Sequence, residues 1–325
     1  MSGPGKTIGG FFGLELPTSI GALPPRDAFL LHSGRACLRA ILELQRPSRF
    51  LAPFYLCDAA LAPARTMGIP VAFYPIDESL HPVLPALSDG DLVMVVDYFG
   101  LFGQVGLVLS GLGDRLVIDQ TQALFASAPA RSWSFSSARK WFGVPDGGFL
   151  RGPRQPPCPR AIPLASMPGH LIERNWGDPD RAYRAHQAAE AGFDGEIAPI
   201  STEAVALLGG VDTARVKAAR RQNFLRLHSL LAADNTLNFS LADDAVPFCY
   251  PMLPRHEVHR QTLAGNGIFI PTFWSDCLKR TEAAFAWEVD LARRLLPLPV
   301  DHRYTAQDME RVADHVLRLI RERGR

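Results

Sequence analysis

A carboxylate, a lysine and a pair of glycines follow one another in the first half of this chain of 325 residues. Asp119 ends the apolar run 116–118, Lys140 follows the run 133–137, and Gly147-Gly148 comes just beyond. A lysine amine can form a Schiff base with a carbonyl once it is neutral. A carboxylate about 4 Å from a pyridine nitrogen contributes roughly 4 kcal/mol at an effective dielectric near 20, which keeps that nitrogen protonated. Together these residue types are the parts that hold pyridoxal phosphate (PLP).

Lysine is scarce, so the candidates for a reactive amine are few. The chain has 34 lysines and arginines, and only Lys6, Lys140, Lys217 and Lys279 are lysines. Lys217 stands among arginines in a predicted helix, Lys279 follows a predicted loop, and Lys6 belongs to the N-terminal tail. An arginine guanidinium does not give up its proton and cannot replace the amine. Lys140 is therefore the candidate catalytic residue.

The segment 33–36, Ser-Gly-Arg-Ala, precedes a predicted helix that begins near Cys37. Backbone N–H groups at a helix N-terminus bind phosphate, helped by the helix dipole. A serine in this place is also an ordinary N-cap, and Ser33 taken alone favours that interpretation. The presence of Asp119 and Lys140 in the same chain favours a phosphate site.

With these residues in view, the sequence resembles the DegT/DnrJ-type nucleotide-sugar aminotransferases, which are fold-type-I PLP enzymes. Three family motifs have counterparts here: Ser-Gly-Thr-x-x-Leu at 33–38, Asp-x-x-Gln at 119–122, and Lys followed by Gly-Gly at 140 and 147–148. Weaker similarity extends over about residues 10 to 320. The resemblance implies an α/β fold with a mostly parallel central sheet flanked by helices and a smaller C-terminal α/β domain.

The resemblance also implies a role for each matching residue. Lys140 would form the Schiff base and shuttle a proton, Asp119 would pair with the pyridine nitrogen, and Gln122 would lie beside the ring hydroxyl. The phosphate would be bound at the start of the helix, by Gly34 and the backbone amides of Arg35 and Ala36.

Two positions depart from the family pattern. The place of the aromatic residue that stacks on the cofactor ring is taken by Cys57, so either Cys57 or Tyr55 packs against the ring. The place of the phosphate-binding serine is taken by Phe135, which leaves Ser134 or Ser136 for that role. The resemblance therefore leaves two contacts of the cofactor open.

A third departure concerns the partner subunit. The segment 197–201, Ile-Ala-Pro-Ile-Ser, matches a family segment, Asn-Tyr-Arg-Met-Ser, that comes from the partner. The asparagine and the arginine are absent, which leaves the substrate type and the contact across the subunits open. The resemblance still implies a homodimer with sites at the subunit interface. His32, His170 and Trp176 are further candidates for the substrate cavity, although a lone histidine or tryptophan is more often structural.

Short β-prone runs alternate with helical patterns between residues 30 and 150, as in a parallel sheet with crossover helices. The predicted strands are 49–55, 71–76, 92–96, 115–118, 133–137 and 147–151, and the predicted helices are 37–44 and 58–67. Helical periodicity returns from Ala204 to about Leu231 and again over 305–321. We expect a large cofactor-binding domain over residues 1–215 and a small domain over 216–325.

The composition excludes several other classes of protein. Hydrophobic residues make up 47%, charged residues 21%, and the formal net charge is +1, which indicates a soluble globular protein without an extended basic surface for nucleic acid. The five cysteines form no Cys-x-x-Cys pair, so neither a metal site nor a disulfide framework is expected. The sequence suggests no membrane span and no export signal, and we expect a cytoplasmic protein.

These observations predict an aminotransferase that moves an amino group from a donor such as glutamate to a keto-sugar or similar carbonyl acceptor, in polysaccharide or secondary-metabolite biosynthesis. Its partners would be small molecules, with a nucleotide-linked sugar among the candidates. A PLP-binding regulatory or carrier protein without transaminase activity is the alternative that Cys57 and the altered partner segment leave open. A sugar dehydratase of the same fold has histidine at the lysine position, so Lys140 argues against it. A plain nucleotide-binding domain lacks support because no Gly-x-Gly-x-x-Gly follows a strand.

Overall fold

The apolar runs between residues 29 and 151 form one sheet of seven strands. The structure is a computed structural model, and it describes residues 8–10, 21–101, 105–158, 160, 168–239, 241–280 and 283–323. The strands are β1 (Ile8–Gly9), β2 (Phe29–Leu31), β3 (Arg49–Pro53), β4 (Val71–Tyr74), β5 (Asp91–Val96), β6 (Leu116–Asp119), β7 (Trp133–Ser137), β8 (Gly148–Arg151), β9 (Cys249–Met252), β10 (Ile268–Phe269) and β11 (Leu296–Pro299). The helices are α1 (Gly34–Gln45), α2 (Asp58–Thr66), α3 (Val105–Val108), α4 (Gly169–Trp176), α5 (Pro179–Ala191), α6 (Thr202–Gly209), α7 (Thr213–Leu231), α8 (Arg260–Gly265), α9 (Ala286–Arg294) and α10 (Ala306–Arg323).

The central sheet has the strand order β2-β8-β7-β6-β5-β3-β4. The five strands from β7 to β4 in this order run parallel, whereas β8 runs antiparallel to both of its neighbours. β5 and β6 are buried along their whole length, which explains their continuous apolar sequences. The predicted α/β fold with a mostly parallel central sheet is confirmed. Its topology brings Asp97, just after β5, and Asp119, the last residue of β6, to one edge of the sheet.

The C-terminal part of the chain adds two small sheets. β9 pairs antiparallel with β11, and β10 pairs in parallel with β1 from the other end of the chain. The last helix, α10, agrees with the helical periodicity over 305–321 and buries an apolar stripe that includes Met309, Val312 and Val316. The predicted boundary between residues 215 and 216 falls inside α7, and the division into two domains stays a prediction. In the part of the chain that the structure describes, no helix is long and apolar enough to cross a membrane.

Helices α4 and α5 form a hairpin that the sequence analysis does not predict. The Asp178 side chain caps α5 by accepting the backbone N–H groups of Asp180 and Arg181 at 2.7 and 3.3 Å. At the other end of α5, Arg35 of α1 donates to the backbone oxygens of Glu190, at 3.2 Å, and of Phe193. The hairpin is thereby held beside the N-terminus of α1.

Candidate active site

A cavity of about 310 Å³ lies at the carboxyl edge of the sheet, where ligands of open α/β sheets bind. It is enclosed by the ends of β6 and β7, the first turn of α1, the start of α2, and the α4–α5 hairpin. The lining residues that matter below are Ser33, Gly34, Arg35, Cys57, Asp119, Thr121, Phe135, Ser137, Arg139, Lys140, His170, His186, Glu190, Phe193 and Trp274.

Lys140 lies in a 3₁₀ turn directly after β7, and its side chain lines the cavity. Its Nζ donates to Thr121 Oγ1 at 2.8 Å. Among the described residues, no carboxylate oxygen lies within 4.0 Å of this Nζ, so the amine is not held in an ion pair. The other described lysines lie outside the cavity: Lys217 packs 4.8 Å from the centre of the Phe125 ring, and the Lys279 side chain is 81% exposed.

Asp119 is buried at the end of β6 and lines the same cavity as Lys140. One of its carboxylate oxygens, Oδ1, accepts the backbone N–H of Thr121 at 2.8 Å. A second acid lies beside it, because the backbone N–H of Asp97 donates to the backbone oxygen of Asp119 at 3.0 Å. Burial and the nearby charge of Asp119 raise the pKa of Asp97 to about 7. Asp119 is thus the carboxylate that faces the cavity, and Asp97 lies beneath it.

The N-terminus of α1 opens on the cavity through Gly34 and Arg35. Ser33 acts as the N-cap, since its Oγ accepts the backbone N–H of Ala36 at 3.1 Å. The N–H of Ala36 is therefore occupied, and Ala36 is not among the lining residues; a phosphate contact of its amide stays a prediction. The first two amides of the helix, those of Gly34 and Arg35, have no partner within an α-helix and remain suited to an anion.

Gly148 lets β8 approach the start of α1 closely. A Cβ at this position would lie 2.4 Å from the backbone oxygen of Ser33 and 2.8 Å from Cys37 Sγ. No side chain fits at those distances. The glycine pair noted in the sequence therefore contributes by positioning the helix N-terminus.

The strand alternation of β7 decides which serine reaches the cavity. Phe135 and Ser137 line it, whereas Ser134 and Ser136 are fully buried and do not. Successive side chains of a strand point to opposite faces, so all four positions agree with one register. Ser137 therefore lies in the cavity lining, while a phosphate contact of Ser134 or Ser136 stays a prediction.

Cys57 lines the cavity and Tyr55 does not. Burial raises the pKa of the Cys57 thiol, which therefore stays neutral at pH 7 and packs as a small apolar group. The Tyr55 ring is fully buried behind Trp274, with the ring centres 4.5 Å apart in an edge-to-face contact. Trp274 itself lines the cavity, and the sequence analysis does not identify it. The structure thus offers Cys57 and Trp274, rather than Tyr55, to a planar ligand.

The remaining candidate residues also differ in whether they line the cavity. Gln122 is buried outside the cavity lining, and its Oε1 accepts the backbone N–H of Phe99 at 3.0 Å. His170 lines the cavity, but His32 stacks on Phe193, 4.9 Å between ring centres, outside it. Trp176 is exposed and does not line the cavity.

The wall opposite the sheet carries charged residues that the sequence analysis assigns no side-chain role. Glu190 of α5 forms ion pairs with Arg35, at 3.4 Å, and with Arg139. Burial by itself would raise the pKa of Glu190, but the charges of Arg139 and Arg35 outweigh it and the pKa is lowered. Within the described ranges, no group of three or more His, Cys, Asp or Glu side chains is arranged to hold a metal ion.

No protein-family model and no curated protein matches the sequence. Solved structures do match: the sugar aminotransferase CalS13 from Micromonospora echinospora is 18% identical with a TM-score of 0.60, and the match covers 89% of this chain and 86% of that one. DesV from S. venezuelae, in complex with a ketimine intermediate, is 18% identical with a TM-score of 0.62, covering 90% and 84%. A DegT DnrJ EryC1 StrS aminotransferase from Brucella abortus is 14% identical with a TM-score of 0.60, covering 91% and 85%. The chain therefore has the fold of these aminotransferases, as its resemblance to the DegT/DnrJ type implies.

Proposed function

We propose that this chain is a PLP-dependent aminotransferase that moves an amino group from a donor, glutamate in the first instance, to a keto-sugar or similar carbonyl acceptor. One observation carries the proposal: Lys140 Nζ and the Asp119 carboxylate line the same cavity as the N-terminus of a helix. An amine, a carboxylate and an anion site are the three protein groups that PLP requires.

The described residues fit the cofactor. At Gly34 a Cβ would reach Phe135 and Thr121 at 3.7 Å, so the missing side chain leaves room at the helix N-terminus. Gly34, Arg35 and Ser137 would hold the phosphate, and Asp119 would hold the ring nitrogen protonated. When bound, PLP supplies an electron sink for the carbon next to the reacting nitrogen.

The chain's own residues would move the proton. Thr121 Oγ1 positions Lys140 Nζ at 2.8 Å; Lys140 would take a proton from the Cα of the donor in the first half-reaction and deliver a proton to the acceptor carbon in the second. The hydroxyl can accept from the amine without adding charge, so it orients Lys140 and leaves the nitrogen able to act as a base. Phe135, Phe193 and Trp274 give the cavity apolar walls that limit water around this nitrogen.

The choice of substrates rests on the fold and the resemblance. CalS13 is described as a sugar aminotransferase, which supports a sugar acceptor. A role in polysaccharide or secondary-metabolite biosynthesis, a homodimer and a cytoplasmic location belong to the same proposal and have the family resemblance as their support.

Replacement of the lysine tests the proposal. Purified protein with PLP should show a visible absorbance band, and borohydride should attach the cofactor covalently to the chain; Lys140→Ala should lose this attachment and at least about 10³-fold of the amino transfer from glutamate. Lys279→Ala is the matched control, because this side chain is exposed and does not line the cavity. Covalent attachment that survives in Lys140→Ala would refute the assignment. A normal band without transfer from any of a panel of amino donors would instead favour the PLP-binding protein without transaminase activity.

A further inference from the structure

Two arginines on the cavity wall share one carboxylate. Glu190 Oε1 contacts Arg139 and Glu190 Oε2 lies 3.4 Å from Arg35. The Arg139 guanidinium also lies 4.0 Å from the centre of the Phe193 ring. The side chains of Arg35 and Arg139 are 22% and 12% exposed, whereas that of Glu190 is 38% exposed. The carboxylate is the most accessible member of the group.

The position of α5 does not depend on this carboxylate. Arg35 Nη1 donates to the backbone oxygens of Glu190 and Phe193, and these bonds are independent of the Glu190 side chain. A negative charge in the last turn of a helix is also unfavourable, because the helix dipole places partial negative charge there. The Glu190 side chain can therefore leave the arginines while the end of α5 stays attached to α1.

The charge of the cavity lining becomes more positive when the Glu190 side chain leaves the two arginines. The lining contains three cations, Arg35, Arg139 and Lys140, and two carboxylates, Asp119 and Glu190. Without Glu190, neither guanidinium group has a carboxylate of the described residues within ion-pair distance. Such a pair binds a carboxylate through charge-assisted hydrogen bonds.

We propose that Arg35 and Arg139 bind a carboxylate of the amino donor, and that Glu190 fills this place until the donor displaces it. This inference rests on the proposed function, because Lys140 in the same cavity would meet the amine of that donor. The contacts of Glu190 show that the two arginines accommodate a carboxylate, the group that every amino-acid donor carries. The pair then selects amino acids over amines that lack a carboxylate.

Calorimetric titration with glutarate tests the inference, because this dicarboxylate has no amine and does not react. The titration is done on the full chain with and without PLP, for Arg139→Gln, Arg35→Gln and Glu190→Gln. We expect Arg139→Gln and Arg35→Gln each to weaken glutarate binding at least 10-fold, since each removes a charged donor. Glu190→Gln should tighten binding about 3- to 10-fold, because the internal competitor loses its charge. Arg39→Gln is the control, as Arg39 lies on the same helix, pairs with Glu43 and does not line the cavity.

The outcomes separate this inference from the proposed function. Normal PLP binding and amino transfer, with a glutarate affinity that neither arginine variant weakens, overturns the inference alone. Loss of PLP affinity in Arg139→Gln with unchanged glutarate affinity assigns the pair to the cofactor phosphate and also overturns it. If the arginine variants fail to fold, Glu190→Gln decides: tighter glutarate binding supports the inference, and equal, weaker or undetectable binding overturns it.

Discussion

The cavity has a floor and a wall that different interactions hold in place. The floor consists of the ends of β5, β6 and β7, the loops after them, the start of β8, and the first turn of α1. The wall consists of α4, α5, the loop as far as Phe193, and the side chains of Arg35 and Arg139 that contact these elements. On the floor, buried backbone contacts fix each group: Asp119 accepts a backbone N–H, and Ser33 caps α1 from a buried position. On the wall, the long side chains of Arg139 and Glu190 form an ion pair in which the carboxylate is partly exposed to solvent.

This difference indicates how the two regions respond to change. The floor is close-packed, so an added atom overlaps its neighbours and an added charge is neither solvated nor paired. The wall can exchange one polar partner for another or for water at small cost in stability. We therefore expect mutations of the floor to change folding, and mutations of the wall to change ligand affinity.

The sharpest test pairs one glycine from each region. Gly148→Ala on the floor places a Cβ 2.4 Å from the Ser33 backbone oxygen, and we expect a loss of about 3 kcal/mol in the free energy of unfolding, with weaker PLP binding because the start of α1 moves. Gly169→Ala, on the wall at the start of α4, has no atom within 4 Å of the new Cβ and should change stability by less than about 0.5 kcal/mol. Urea unfolding of both variants measures the difference, and equal losses would contradict the comparison.

The same contrast explains what the sequence could predict. Asp119 could be predicted as a site residue because it ends a buried strand, which has a continuous apolar sequence. Lys140 could be predicted because only lysine supplies a side-chain amine that can form a Schiff base. The serine on β7 could not be chosen, since a difference of one residue turns a side chain to the other face and only the strand pairing fixes it. Trp274 is remote in sequence from every motif and reaches the cavity through tertiary packing alone.

The wall was missed for a different reason. Asp178 followed by proline is a recognisable start of a helix, and the alanine-rich stretch that ends before Gly192 continues it, so α5 itself could have been predicted. The position of α5 beside α1 could not have been predicted, because it depends on hydrogen bonds from Arg35 to the backbone oxygens of Glu190 and Phe193. Local patterns reveal an exposed helix but not the surface that it covers.

Two acids of opposite behaviour provide a test by pH. Burial raises the pKa of Asp97 to about 7, so the folded protein binds a proton there that the unfolded chain releases above about pH 4. Stability contributed by this proton is lost as the pH rises toward 7. From pH 5 to pH 8, the free energy of unfolding of the cofactor-free protein should fall by about 2 kcal/mol relative to that of Asp97→Asn.

Glu190 is the control from the wall. Its pKa is lowered, so its stabilising contribution is complete above the unfolded value near 4.5 and is lost only at more acidic pH. The stability difference between the protein and Glu190→Gln should therefore change less between pH 5 and pH 8 than that for Asp97→Asn, since in this range Glu190 acts only through its effect on the neighbouring His186. Urea unfolding at both pH values measures these differences in the free energy of unfolding. If the difference between the protein and Asp97→Asn did not change with pH, the floor would tolerate the charged Asp97 carboxylate.

The smallest expected effects come from removing a helix N-cap in each region. Ser33 caps α1 on the floor and Asp178 caps α5 on the wall, each by accepting backbone N–H groups. In Ser33→Ala the N–H of Ala36 stays buried without its partner, and we expect a loss of about 1 to 2 kcal/mol. In Asp178→Ala water replaces the cap, because this residue is exposed, and the loss should be about 0.5 kcal/mol. Urea unfolding of the two variants ranks them, and a larger loss for Asp178→Ala would mean that burial does not separate floor from wall.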